Sequence, residues 1–523
     1  MGTFQGLELS KRALYAQQGA LYTTGHNIAN VNTEGYSRQR VNFETSTPFP
    51  VPSRVMPQIP GQLGTGVDIG VVERIRSKFL DMQFRSENSR HEYWDTKQET
   101  LGRLESLLNE PSDSGLTKTM DQFWQSLQDL AANPDNDGAR SVVAQRGLAV
   151  AETFNHLSKS MQSIQGDIKE QIDGSVKDIN SLLKNINKLN EQIQSIEPHG
   201  LLANDLYDER DRLIDSLSEQ VNIKVTYSES SKSALDIADG IASIELLDES
   251  GRSIGEDGVY LIEVTDDKPL SESVNELSVE YEESEDESSV FDTPPVTGIK
   301  VAGYEEELEG VELLESVGRL SALIESYGYK EDGQEDVIGT YPEVLAELDK
   351  MAREFAEAFN TIHNEGNDAD GNSGGDFFVG KDNFDGITAE SITVDKDILK
   401  DPNLIAAADP ERGEQNGDNA LKLADVFDDK IEGLDKTSPR KFFTALIGDL
   451  AVQTEEAIRM TKNTAQLQQQ VDHSRQSTSA VSLDEEIANL VKLQHAYNAS
   501  ARNMTVIDET IDRIINHMGV VGR

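Results

Sequence analysis

Cysteine is absent from all 523 residues, which excludes disulfides, thiolate metal sites and a thiol nucleophile. Basic charge is scarce: 47 Lys+Arg stand against 95 Asp+Glu, a formal net charge of 47 − 95 = −48. A chain this acidic does not suit the phosphate backbone of nucleic acid, whose binders displace counterions with a basic surface. No apolar run approaches the roughly 18 residues that span a bilayer. A cleavable export leader is also not expected, because Lys11-Arg12 is followed by mixed Ala, Gln and Tyr rather than an apolar core. The missing cysteine fits a cytosolic protein and equally one exported unfolded by a route without such a leader. The length allows several domains, and a hydrophobic share of 37% suffices for real cores.

What is present is helix at both ends and a change of period in the middle. Leu7, Leu14, Leu21 and Ile28 recur every seventh residue, which predicts a helix from about Thr3 to Asn30 with one narrow apolar ridge. At the far end Leu483, Ile487, Leu490, Gln494, Tyr497, Ala501, Met504, Asp508, Ile511, Ile515 and Met518 step by alternating fours and threes. This predicts a heptad seam with two polar interruptions, Gln494 and Asp508, placed to fix register. Ser482 is a candidate N-cap, with Glu485 three residues on placed to complete a capping box, and Gly519 stands where the helix should stop.

Between the ends, helices are expected over about Val71–Asn109, Leu116–Ala132, Gly138–Ile196, Leu201–Gln220, Tyr341–Asn364 and Lys441–Ser479. The third carries a seam of Ile168, Ile172, Ser175, Ile179, Leu182, Ile186, Leu189, Ile193 and Ile196. From Val221 to Val311 the pattern alternates in short apolar pieces broken by Gly and Pro-Pro, as strands and turns do. Ser271 to Val290 holds eight acidic residues and no basic one, which reads as a solvated surface. The expected fold is mostly α with a β-rich insert: a terminal helical pair and a helical bundle form a rod that carries a projecting β domain. Residues 1–40 and 480–523 make the terminal unit. Residues 41–220 and 312–479 make the rod, with a turn-rich stretch at 366–438, and 221–311 make the acidic insert.

Three patterns that resemble chemical sites fail on residue type. His91-Glu92 opens like a zinc-protease helix, but Asp95 occupies the place of the second histidine. Gly64-Thr65-Gly66 lacks a correctly spaced third glycine. Asp368, Asp370 and Asn372 alternate like the start of a calcium loop, yet Ser373 and Val379 stand where glycine and a bidentate glutamate are required. A hydrogen-bonded Asp/Asn turn is the expectation there. No catalytic, cofactor or metal residues are therefore assigned, and no enzyme activity is expected.

The stretch Thr24-Gly25-His26-Asn27-Ile28-Ala29-Asn30-Val31-Asn32-Thr33-Glu34-Gly35-Tyr36-Ser37-Arg38-Gln39 resembles the N-terminal motif of bacterial flagellar axial proteins. Its variants at His26 and Ser37-Arg38-Gln39 resemble members that stand between hook and filament, although Glu34 replaces the usual proline. Gly61–Val67, Phe123–Arg146, Asn360–Phe378 and Ser482–Met518 extend the likeness over both ends and most of the rod. The resemblance implies a structural, self-assembling component of the extracellular flagellum, exported by the flagellar type III route. It implies copies packed in a helical ring, a hook protein below, a second junction protein above and an export chaperone on the C-terminal helix. Another axial component is the alternative it leaves, and a secreted stalked adhesin or enzyme is the alternative from another class.

The residues of the motif carry their own reading. Gly35 can take positive φ where the first helix ends, Asn27 and Asn30 can bond backbone at the turn, and Tyr36 sits beside them. A fixed helix exit would orient the terminal pair. Each terminal ridge is too narrow to offset the conformational entropy of its own helix. The ends of an isolated chain are expected to fray and to become ordered against other subunits.

Overall fold

A computed structural model describes residues 3–49, 64–108, 115–255, 258–265, 268–282, 293–304, 316–331, 336–381, 386–412 and 416–517. Helix α1 (Thr3–Ala29) leads into a hairpin of β1 (Gln39–Thr45) and β2 (Val67–Arg74). Then follow α2 (Lys78–Leu108), α3 (Leu116–Ala132), the long α4 (Asp137–Ile196) and α5 (Asn204–Gln220). Strands β3 (Ile223–Ser228), β4 (Ile241–Leu246) and β5 (Tyr260–Ile262) form one antiparallel sheet, and β6 (Leu277–Tyr281) pairs with β7 (Val296–Val301). The chain continues through α6 (Arg319–Tyr327), α7 (Thr340–Glu365), the β8 (Phe378–Gly380) and β9 (Ile392–Val394) pair, α8 (Lys396–Lys400) and α9 (Asp418–Asp425). It closes with α10 (Pro439–Ser479) and α11 (Leu483–Asp512).

The expected helices stand within about three residues of where their periods place them, with one larger correction. Residues 71–74 belong to β2, and the helix begins at Lys78. Val71 extends the alternation of Val67 and Ile69, so period two wins over period 3.6 there. Helix α4, with 60 residues, is about 90 Å long at about 1.5 Å per residue. Asn136 caps it by accepting from the amides of Gly138 at 2.9 Å and Ala139 at 3.4 Å. Ile168, Ile172, Ser175, Ile179, Ile186, Leu189 and Ile193 are buried along it, and Leu183 rather than Leu182 completes the row.

One continuous core runs from Leu104 and Phe123 through α4 to the strands, where Ile244, Leu277 and Val296 share it. The β-rich region is fastened to the helices by a repeated device. Asn180 donates to the Leu277 carbonyl at 2.8 Å and accepts from its amide at 2.9 Å. Asn190 does the same to Ala242 at 3.0 and 3.1 Å, and Asn360 to Phe378 at 2.7 and 2.9 Å. A carboxamide presents one donor and one acceptor side by side, so it substitutes for the edge of a neighbouring strand. The Asp368 turn is as expected: its carboxylate accepts from the amides of Asp370 and Asn372 at 2.9 and 2.8 Å.

Candidate functional site

Helices α1 and α11 run antiparallel. At one end Asn27 meets Glu486, and at the other a Cβ on Gly6 would lie 3.2 Å from Ile507. Leu7, Leu14, Leu21 and Ile28 are all half-buried. On α11 the better-buried row is Glu486, Leu490, Leu493, Tyr497, Ser500, Met504, Ile507 and Ile511, with Ala501 half-buried beside it. Gln494 and Asp508 are exposed, so these polar residues do not set the register between α1 and α11. Ile487 is 53% exposed and Ile515 65%, while Met518 and Gly519 lie outside the described residues. The correction has a simple cause: α11 carries two apolar rows one residue apart, and spacing alone does not say which faces α1. Only Glu486 is fully buried among the described residues of α11.

The outward row of α1 is aromatic. Phe4, Tyr15 and Tyr22 are 69%, 62% and 77% exposed. On α11 Leu483, Val491, Val506 and Ile514 are exposed as well. Large apolar side chains are thus left exposed along both helices of the pair.

Below the pair, the chain leaving α1 folds back on it. Asn27 treats Gln39 as the other asparagines treat their strands, donating to its carbonyl at 2.9 Å and accepting from its amide at 3.0 Å. The Tyr36 hydroxyl donates to the same Asn27 oxygen at 2.8 Å and lies 3.0 Å from His26 Nδ1. Burial, reinforced by Asp205, Asp208 and Glu486, pushes the Tyr36 hydroxyl far above its usual range, so it stays a donor. Asn30 donates to the His26 carbonyl at 3.0 Å, and Thr33 donates to Asn30 at 3.1 Å. Gly35 has φ +79°, where any other residue pays a steric penalty.

Beyond this turn the chain is knitted to three elements at once. The Ser37 amide donates to Asp208 on α5 at 3.0 Å. The Arg38 amide donates to the Ser479 carbonyl at the end of α10 at 2.8 Å, while its guanidinium holds Glu486 at 2.8 Å and Glu485 at 2.7 Å. Next to it lies a buried Arg/Asp cluster. Arg74 binds Asp208 at 2.7 Å, Asp211 at 3.1 Å and Asp239. Arg76 binds Asp81 at 2.8 Å, Arg85 binds Asp215 at 2.8 Å and Asp211 at 3.3 Å, and Arg475 binds Asp215 at 2.6 Å.

Burial disfavours the charge on Asp211, but Arg76, Arg74 and Arg85 outweigh it and hold the carboxyl far below the usual range. Asp208 goes the other way: burial exceeds the pull of Arg74 and raises it. Each of these carboxylates is engaged by a guanidinium, so the cluster is a joint that ties the β1–β2 hairpin to α2, α5 and α10, with Arg38 beside it reaching Glu486 of α11. Sequence reasoning missed it. The available signal was Asp208, Asp211 and Asp215 on one face of α5, with Arg74 at the end of β2 and Arg76 two residues beyond it.

The chain matches three family descriptions: "Flagella basal body rod protein" over residues 7–36, "Flagellar hook-associated protein FlgK helical domain" over 101–378 and "Flagellar basal body rod FlgEFG protein C-terminal" over 474–517. It is 44% identical to "Flagellar hook-associated protein 1" of Bacillus subtilis, covering 100% of this chain and 99% of that one. The proteins of that description from Salmonella typhimurium and Escherichia coli are 25% and 23% identical, each covering 96% of this chain and 98% of its relative. In fold it resembles the flagellar hook junction protein FlgK from Burkholderia pseudomallei, with a TM-score of 0.56 at 14% identity over 77% of this chain and 100% of that one. The exit turn of α1 and the start of α11, which the joint locks together, both fall within flagellar matches, and the chain belongs to the flagellar hook-associated protein 1 family.

Proposed function

We propose that the chain is a structural component of the flagellum that joins hook to filament, and that α1 and α11 form its assembly surface. The observation that carries the reading is the outer face of the terminal pair. Phe4, Tyr15 and Tyr22 on α1 and Ile487, Val491 and Val506 on α11 are exposed in the single chain, while α11 fully buries only Glu486 among its described residues. Copies packed side by side in a helical ring would cover these rows. With its ion pairs closed, the joint would set the angle of each pair to its rod. Hook protein would lie below the ring and a second junction protein above it.

Before assembly the same rows invite aggregation. A chaperone on α11 would hide them, and export through the flagellar type III channel would deliver the chain to the outside of the cell. The family is structural, and the exposed rows are surfaces for packing rather than chemistry.

A deletion strain tests the junction role. Intact hooks without filaments, with flagellin released to the medium, are expected, and the intact gene should restore filaments. Filaments of normal length on the deletion strain would overturn the reading. Loss of the hook itself would move the chain to an earlier position in the axis.

A further inference from the structure

Helix α10 lies antiparallel on α2 along most of its length, yet the two halves of that seam differ in kind. At the end far from the joint Phe442, Phe443 and Leu450 are buried and share the common core with Leu104 and Leu108 of α2. Past Leu450 the buried residues of α10 are Thr454, Ala457, Thr461 and Thr464. Across from this half of α10 stand Asn88 of α2, which accepts from Gln468, and His91, 3.5 Å from the Thr464 hydroxyl. No fully buried side chain on that half of α10 is larger than threonine.

Of the threonines only Thr464 reaches the partner helix, its hydroxyl 3.5 Å from His91 Nδ1, and all three bond within their own helix. Thr454 donates to the Leu450 carbonyl, Thr461 to Ala457 and Thr464 to Met460, each at 2.9 Å. Such back-bonding satisfies the hydroxyl within its own helix and favours bending. Two clasps carry this half of the seam instead. Gln468 donates to Asn88 at 2.5 Å. Arg475 binds Asp215 at 2.6 Å and lies 3.8 Å over the Phe84 ring. Both clasps sit at the joint end, and only Ala480-Val481-Ser482 separate α10 from α11.

Small side chains give up little apolar area when a helix lifts away, whereas a leucine or phenylalanine must leave a filled hole. Opening should therefore be cheap on one side of Leu450 and expensive on the other. We propose that α10 beyond Leu450 is a hinged arm: it swings off α2, carries the start of α11 with it and so tilts the terminal pair against a rigid rod. The Gln468 and Arg475 clasps close it. This inference concerns motion within one chain and does not depend on the junction reading.

Amide hydrogen exchange on the full chain tests it. Residues 454–479 are expected to exchange at least about tenfold faster than residues 442–450 of α10 and the buried part of α4. Thr454→Val, Thr461→Val and Thr464→Val together keep shape, add apolar contact, and should slow exchange in that arm alone. Because the chain has no cysteine, a single disulfide between His91→Cys and Thr464→Cys, whose parent side chains are 3.5 Å apart, provides a second measurement. Oxidation should bring the arm to the protection of residues 442–450, and reduction should release it. Protection of the arm equal to that of residues 442–450 before oxidation, or exchange indifferent to the disulfide, would overturn the proposal.

Discussion

The carboxamide of Asn27, three residues from the end of the α1 exit turn's Asn30, donates to the carboxylate of Glu486 at 3.2 Å, across 459 residues of sequence. Glu486 is only 2% exposed and also accepts from Arg38, so a buried charge is held by two donors from the other end of the chain. Asn27 spends its remaining capacity on Gln39 and Tyr36. Asn27→Ala should cost about 1–3 kcal/mol, the usual penalty of leaving buried polar partners unmet. Asn27→Asp should cost more at neutral pH, because it sets a second carboxylate against Glu486. Amide exchange across the first turns of α11 would read both effects. An Asn27→Asp chain as well protected as the parent would remove Glu486 from the lock.

Arg74 is the centre of the charge cluster, touching Asp208, Asp211 and Asp239. It also stacks on the Tyr207 ring at 4.9 Å. Arg74→Met keeps much of the volume but leaves three carboxylates facing one another. A loss of roughly 3–5 kcal/mol is expected, as when one partner is removed from a buried ion network. Adding Asp239→Asn to Arg74→Met should recover part of it. Urea unfolding of the two variants gives the comparison, and a second substitution that only deepens the loss would contradict the assignment.

How much of this was legible in the sequence follows from the range of each interaction. Helix periods are local, so α4, α7, α10 and the two terminal helices were readable from spacing. The exit motif was readable too, because Asn27, Asn30, Gly35 and Tyr36 lie within one turn of chain. The joint was not, since Arg74, Asp211 and Arg475 come together only when four elements have packed. Nor could spacing choose between the two apolar rows of α11, and Gln494 and Asp508 were assigned to the seam for that reason. Asn180, Asn190 and Asn360 look like ordinary polar residues on helices until the backbone they clamp is in place.

Glu219, on α5 beside the exit turn, provides a pH test. Burial, and then the charge of Glu92, push its carboxyl up to about 6 from 4.5, against the opposing pull of Arg319. The folded chain thus holds this proton more tightly than the unfolded chain does. Its ionised form weakens the fold fully above pH 6, and that penalty fades as pH falls toward 4.5. Glu219→Gln should therefore stabilise the protein at pH 8 by about 1 kcal/mol, which is roughly half the full value of such a shift because the group is partly solvated. At pH 4.5 the variant and parent should match. Urea midpoints at the two pH values provide the measurement, and equal midpoints at pH 8 would place this carboxylate in open water.

The outer rows of the terminal pair separate stability from assembly. Tyr22 is 77% exposed and Ile487 53%, so truncating either to alanine removes few contacts within the chain. Each should change the stability of the purified monomer by less than about 0.5 kcal/mol, as surface substitutions usually do. Tyr22→Ala combined with Ile487→Ala should nonetheless leave cells with hooks and few filaments, because the lost area belongs to the contact between copies. Leu490→Ala, on the half-buried row facing α1, should instead loosen the pair within a single chain and speed its amide exchange. Electron microscopy of the cells and exchange on the monomer together distinguish the two rows. Filaments of wild-type number in the Tyr22→Ala, Ile487→Ala strain would mean that neighbouring copies meet elsewhere.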